Sequence, residues 1–150
     1  MALPGYSCEG PAAEAMTKLT LRVDFDQDRA IGPGKIKLLE LIDALGSISA
    51  AGRHMDMSYR RAWLLVDDLN QSFRQPVVTS QVGGAHGGGA ALTELGCAVV
   101  RHYRAIEAAA QAAGAPHIEA LAASLADPKL ELAAVTRRRR KAQRAPADVT

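Results

Sequence analysis

The run "SISAAGRHMDMSYRRAWLLVDDLN", Ser47 to Asn70, decides the fold. Ser47 or Ser49 can cap a short helix rich in small residues, because a serine hydroxyl accepts from orphan backbone N–H groups at a helix start. "MDM" then breaks that helix. Ser58 can cap a longer one, on which Ala62, Leu65, Val66 and Leu69 recur at the helical spacing and face inward. Two helices that cross closely need small residues at the crossing, and Ala50, Ala51 and Gly52 supply them. Met55 and Met57 supply apolar anchors at the turn. The spacing predicts a helix-turn-helix whose second helix spans 58–73.

The flanks extend the pattern. Upstream, "KLTLRVDFD" alternates, with Leu19, Leu21, Val23 and Phe25 on one face, and reads as a half-buried strand. "QDRAIGPG" reads as a turn with Gly32, Pro33 and Gly34 as breakers. "KIKLLELIDALG" reads as a helix with Ile36, Leu38, Leu39, Ile42 and Leu45 on its apolar stripe and Gly46 as its stop. Downstream, "QPVVTSQV" and "AALT" read as two arms around a glycine-rich loop. Thr93 can cap a long helix, with Leu95, Val99, His102 and Ile106 as a stripe and Gly114 with Pro116 as its end. "HIEALAASLAD" reads as a further short helix.

That order predicts a mainly α chain with a small β hairpin: a winged helix-turn-helix followed by a long dimerisation helix. The expected parts are a flexible leader (1–17), the winged domain (18–92), the long helix (93–114), a short helical extension (115–136) and a basic disordered tail (137–150).

Bulk properties narrow the function. The chain has 150 residues with a net charge of +2. Arg137, Arg138, Arg139, Arg140, Lys141 and Arg144 crowd one end, and the remainder carries more acid than base, so global charge does not by itself call for a polyanion. Cys8 and Cys97 form neither a disulfide framework nor a zinc spacing, which fits a reducing cytoplasm. The first residues do not read as a signal peptide, and no run of 18 apolar residues is present, so no membrane partner is expected.

Chemical motifs fail on detail. The glycine-rich stretch "QVGGAHGGGAALTELG", Gln81 to Gly96, lacks the Lys-Ser or Lys-Thr of a phosphate-binding loop and the βαβ setting of a dinucleotide site. "DFDQD" begins like a calcium loop, but Arg29 stands where glycine is needed and Lys35 where glutamate is needed. His54, His86, His102 and His117 show no ligand spacing. Cys97 has no acid–base partner and reads as a small buried residue. No catalytic residue, metal site or cofactor is expected.

The nucleic-acid reading has positive support. Ser58, Tyr59, Arg60 and Arg61 open the second helix of the helix-turn-helix, where side chains reach base edges or phosphates. Trp63, the single tryptophan, reads as a packing residue for that helix. Gly83, Gly84, His86, Gly87 and Gly88 would form a wing (83–90) whose backbone N–H groups approach a phosphate or the minor groove. A plain flexible hairpin is the alternative for the same glycines.

At these residues the chain resembles the N-terminal DNA-binding domain of the ModE family of molybdate-responsive regulators and, more distantly, the LysR-type helix-turn-helix. "GKIKLLELIDALGSISAAGRHMDMSYRRAWLLVDDLN" and "GGAHGGGAALTELG" carry the likeness, over roughly Leu19 to Ala113. It implies a homodimer on double-stranded DNA, paired through Leu95, Val99, His102 and Ile106, with each copy reading half of an inverted repeat. Such regulators continue into molybdate-binding domains. About 35 residues follow the long helix here, too few for such a domain, so a form without those domains is expected. Two alternatives stay open: a non-specific DNA-coating or protein-interaction module, and a sensor of molybdate or tungstate with its oxyanion site between subunits.

Overall fold

The computed structural model describes residues 17–81, 89–126 and 136–138. Lys18–Ala113 form one compact unit and the remaining residues a second. The first unit opens with a two-stranded antiparallel ribbon, β1 (Val23–Asp24) and β2 (Ala30–Ile31), with Val23 opposite Ile31. Asp26 closes its turn: the carboxylate accepts from the Asp28 and Arg29 backbone N–H groups and pairs with the Arg29 guanidinium. These bonds hold the Asp26 carboxyl below its usual range. Alternation holds for Leu19, Leu21 and Val23, which are half-buried, but Phe25 is exposed. The segment expected to be only a turn therefore contains a strand.

Helix α1 (Pro33–Leu45) begins two residues earlier than its apolar stripe predicts. Proline at the first helical position has its φ pre-set and lacks an N–H that would be orphaned there anyway. Pro33 therefore starts the helix rather than breaking the chain. Ile36, Leu38, Leu39, Leu41 and Ile42 are buried, whereas Leu45 is 47% exposed. The stripe turns away at the last turn, and Gly46 ends the helix with φ 67°, its N–H donating to the Ile42 carbonyl at 2.8 Å. That left-handed conformation favours glycine.

Helices α2 (Ile48–His54) and α3 (Tyr59–Ser72) form the helix-turn-helix. Both predicted caps are made. Ser47 Oγ accepts from Ala50 N, and Ser58 Oγ accepts from Arg61 N, each at 3.2 Å. The turn passes through Asp56, whose φ of 54° suits its short polar side chain. Met57 N donates to the Gly52 carbonyl at 3.0 Å and closes the turn. A Cβ on Gly52 would lie 2.9 Å from the Ala62 Cβ, so the two helices touch where the small residues predict. Met55 and Met57 pack against the core beneath.

Strands β3 (Val78–Gln81) and β4 (Gly89–Leu92) pair antiparallel, with Gln81 opposite Gly89. Asn70, near the end of α3, anchors β3. Its side-chain oxygen accepts from Val77 N at 2.8 Å and Val78 N at 3.1 Å, and its amide donates to the Val78 carbonyl. On the other arm, Ala90 N donates to the Gly46 carbonyl at 2.9 Å.

Helix α4 (Glu94–Ala123) is capped as expected. The Thr93 hydroxyl accepts from Gly96 N at 3.0 Å and donates to the Pro76 carbonyl at 2.7 Å. The helix does not stop at Gly114. Proline removes one backbone bond and crowds the carbonyl four residues back. Pro116 nonetheless lies inside the helix. In the second unit the described residues continue α4 from Gly114 to Ala123, and a turn closes at Ser124, whose N–H donates to the Leu121 carbonyl; residues 127–135 of the extension expected over 115–136 lie outside the described residues.

The buried face of α4 is Gly96, Val99 and Tyr103. Of the expected stripe, Val99 is buried and Leu95 half-buried, while His102 is exposed and Ile106 is 47% exposed. Tyr103 is 1% exposed and its hydroxyl donates to the Leu21 carbonyl at 2.8 Å. Burial raises its phenol pKa, which keeps the donor protonated. Beside it Arg104 bridges Glu40 of α1 and Glu107, with bonds of 2.6 to 2.9 Å.

The guanidinium holds the Glu40 carboxyl below its usual range. A carboxyl with a depressed folded pKa stabilises above its unfolded pKa, and that stabilisation is lost as pH falls through the folded value. The Arg104 side chain is 41% exposed, so solvent screening limits the pair to about 0.5–1 kcal/mol. Glu40→Gln is therefore expected to cost that much at pH 7 and to flatten the acid limb of stability. Urea midpoints collected between pH 3 and pH 7 measure this; an acid limb as steep as the parent's would exclude the pair as its source.

Candidate nucleic-acid interface

Capping by Ser58 sets the direction of α3 and leaves Tyr59, Arg60 and Arg61 on its first exposed turn. Neither arginine side chain has an ion-pair or hydrogen-bond partner among the described residues. No acidic residue occupies that turn. Two cations at a helix N-terminus oppose the positive end of the helix dipole, at about 0.3–1 kcal/mol each when exposed. Among the described residues no side chain supplies a counter-charge to them.

Tyr59 and Trp63 lie one turn apart and contact each other edge to face, with ring centroids 6.0 Å apart. Tyr59 is 61% exposed and Trp63 37%. Trp63 is therefore not the packing residue expected of it; the core beneath α3 is made by Ala62, Val66 and Leu69. The aromatic pair instead walls an open cleft of about 290 Å³ between α3 and the hairpin, lined also by Ser47, Ile48, Ser49, Ser80, Gln81, Gly89 and Ala90. The serines and Gln81 were not picked out as site residues. The available signal was the i, i+4 spacing of Tyr59 and Trp63, which places both rings on one face.

The expected wing residues Gly83, Gly84, His86, Gly87 and Gly88 lie outside the described residues. The strands that flank them are in place, with β3 held by Asn70 and β4 by Gly46. Of the expected residues at the start of α3, the structure brings Tyr59 to the base of the hairpin, while Ser58 caps the helix and Arg60 and Arg61 are exposed on its first turn.

The four residues expected to pair two copies are separated by burial. Val99 is buried, Leu95 is half-buried, and His102 and Ile106 are exposed. Leu95, Val99, His102 and Ile106 do share one feature: with Phe25 and Phe73 they line an apolar cleft of about 300 Å³. Phe25 and Phe73 meet edge to face at 6.1 Å within it. Cys97, expected to be buried, is exposed. It sits on the helix face opposite Gly96 and Val99.

Among the described residues no group of histidine, cysteine and carboxylate side chains is placed to hold a metal, and no helix is long and apolar enough to cross a membrane. Asp24 and Asp26 pair with Arg22 and Arg29 instead.

No protein-family model matches the chain. Curated proteins do. The molybdenum transport protein ModE of Azotobacter vinelandii is 37% identical over 99 residues, 65% of this chain and 37% of that protein. The molybdenum-pterin-binding protein MopB of Rhodobacter capsulatus is 45% identical over 78 residues, 52% of this chain and 29% of that protein. The DNA-binding transcriptional dual regulator ModE of Escherichia coli K12 is 33% identical over 86 residues, 57% of this chain and 33% of that protein. The chain thus spans about a third of the length of these relatives. Their names describe transport, molybdenum-pterin-binding and regulatory proteins, none of them an enzyme. Over the matched residues the chain is similar to ModE-type regulators, and its helices and small antiparallel strand pairs are those of a winged helix followed by a long helix.

Proposed function

We propose that the chain is a DNA-binding transcriptional regulator, in which α3 enters the major groove and the hairpin rests on the adjacent backbone. The observation that carries the reading is the uncompensated pair Arg60 and Arg61 at the capped start of α3. Arginine at that place can pair bidentately with guanine or hold a phosphate. The regulator named for Escherichia coli, similar over 57% of this chain, supports it.

We further propose a homodimer on an inverted repeat. Leu95, Val99, His102 and Ile106 of α4 line one apolar surface, part of it exposed, and a two-fold interface uses the same patch on both copies. A DNA-coating module would need no such pairing.

Selection of bound fragments from random duplex DNA at near-physiological salt tests both proposals. An enriched inverted repeat is expected. Binding with no enriched sequence and a steep salt dependence would replace the regulator with the coating module. On the selected site, Arg60→Ala is expected to cost about 1–3 kcal/mol if the side chain reads guanine, and the loss should vanish on DNA altered at that base. An equal loss on every sequence would make Arg60 a phosphate contact.

A further inference from the structure

We infer that the cleft between α3 and the hairpin seats one phosphodiester and its deoxyribose, on the DNA strand that separates the two contacted grooves. The inference rests on the regulator reading above. A helix in the major groove and a wing at the adjacent minor groove must straddle one sugar-phosphate strand. In this chain the space between those elements is the cleft walled by Tyr59 and Trp63.

Its chemistry matches such a strand. Ser49 and Ser80 stand at the cleft from α2 and β3, and Gln81 adds an amide. Hydroxyl and amide donors bond phosphate oxygens without carrying charge. The two rings offer an apolar wall to the sugar. Two of only six aromatic residues are spent on this exposed wall, where the core gains little from them. A cleft lined by neutral donors and rings suits an anion already embedded in a duplex that Arg60 and Arg61, on the same first turn of α3, help to hold. The Tyr59–Trp63 contact holds the two rings together on the α3 wall of the cleft, which makes both positioning residues for the strand.

The test is a methylphosphonate scan of the selected duplex, one phosphate at a time, with the full chain and with a Ser49→Ala/Ser80→Ala variant. Ser47 is left alone because it caps α2. In the parent, one phosphate per half-site between the contacted grooves is expected to lower affinity about tenfold when its charge is removed, in line with hydrogen bonds to charged groups. In the variant, sensitivity at that phosphate should shrink to less than twofold, while other sensitive phosphates keep theirs. The salt slope should not change, because no cation has been removed. Thermal melting of the variant reports that it folds. Full sensitivity retained at that phosphate in the variant would overturn the inference and leave the regulator reading intact. Failure of the parent to bind DNA at all would overturn both.

Discussion

Gly96→Ala is expected to destabilise the protein by about 3 kcal/mol, the upper end for overpacking, although alanine is the better helix former. A Cβ at Gly96 would lie 2.1 Å from the Val77 carbonyl oxygen and 3.0 Å from its carbon. Those are backbone atoms, and they cannot swing aside as a side-chain tip can. The same carbonyl accepts from Thr93 N at 3.0 Å, and Thr93 Oγ1 is bonded to Pro76. Any retreat of α4 from Val77 therefore loosens the bonds that tie Thr93 to Val77 and Pro76. Gly114→Ala is the matched control. Its Cβ would meet only Ile118, at an ordinary 3.5 Å. There the gain in helix propensity, up to about 1 kcal/mol, should stand unopposed. Denaturant midpoints of the two variants decide the matter; a stable Gly96→Ala would mean that α4 does not approach β3 so closely.

Asn70→Ala should cost about 3 kcal/mol by a different route. One amide serves Val77 N, Val78 N and the Val78 carbonyl. Val77 and Val78 are buried, so the groups released have little access to water. A buried donor left without a partner costs about 1–3 kcal/mol. Asn70→Asp keeps the accepting oxygen but turns a carboxylate oxygen toward the Val78 carbonyl where the amide donated, so it should cost about 1–3 kcal/mol. Amide exchange at Val77 and Val78 gives a local readout. Both amides should lose protection in the alanine variant and keep most of it in the aspartate variant. If the two variants melt alike and protect alike, Asn70 is not the anchor of the hairpin.

The helix-turn-helix was legible because its signals are local. Ser47 and Ser58 precede their helices by one residue, and the small residues at 50–52 sit at the only crossing the turn allows. Elsewhere the deciding interaction is remote. The strand at Ala30–Ile31 has two residues and no alternation, so only its partner across the Asp26 turn reveals it. Tyr103 is buried because a carbonyl 82 residues away takes its hydroxyl bond, which no periodicity reports. With Tyr103 inward, the helix rotates, and His102 and Ile106 move to the rim of the cleft. Trp63 misleads for the opposite reason. Its size argues for a core, but the core at that level is already filled by Ala62 and Val66. As for the candidate site, the first turn of α3 was readable from composition, whereas Ser49 and Ser80 come from separate elements and meet only in the folded chain.

The bond from Ala90 N to the Gly46 carbonyl has a consequence for what the domain can measure. It ties one leg of the hairpin to the end of α1, while Asn70 ties the other leg to α3. Helix α3 and the described strands of the hairpin are thereby mounted on a common frame, which on the proposed DNA reading acts like a calliper locked at one opening. A locked calliper reports mismatch and does not adjust to it. Duplexes whose grooves are widened or narrowed between the two contact points should thus be discriminated even when every contacted base is correct.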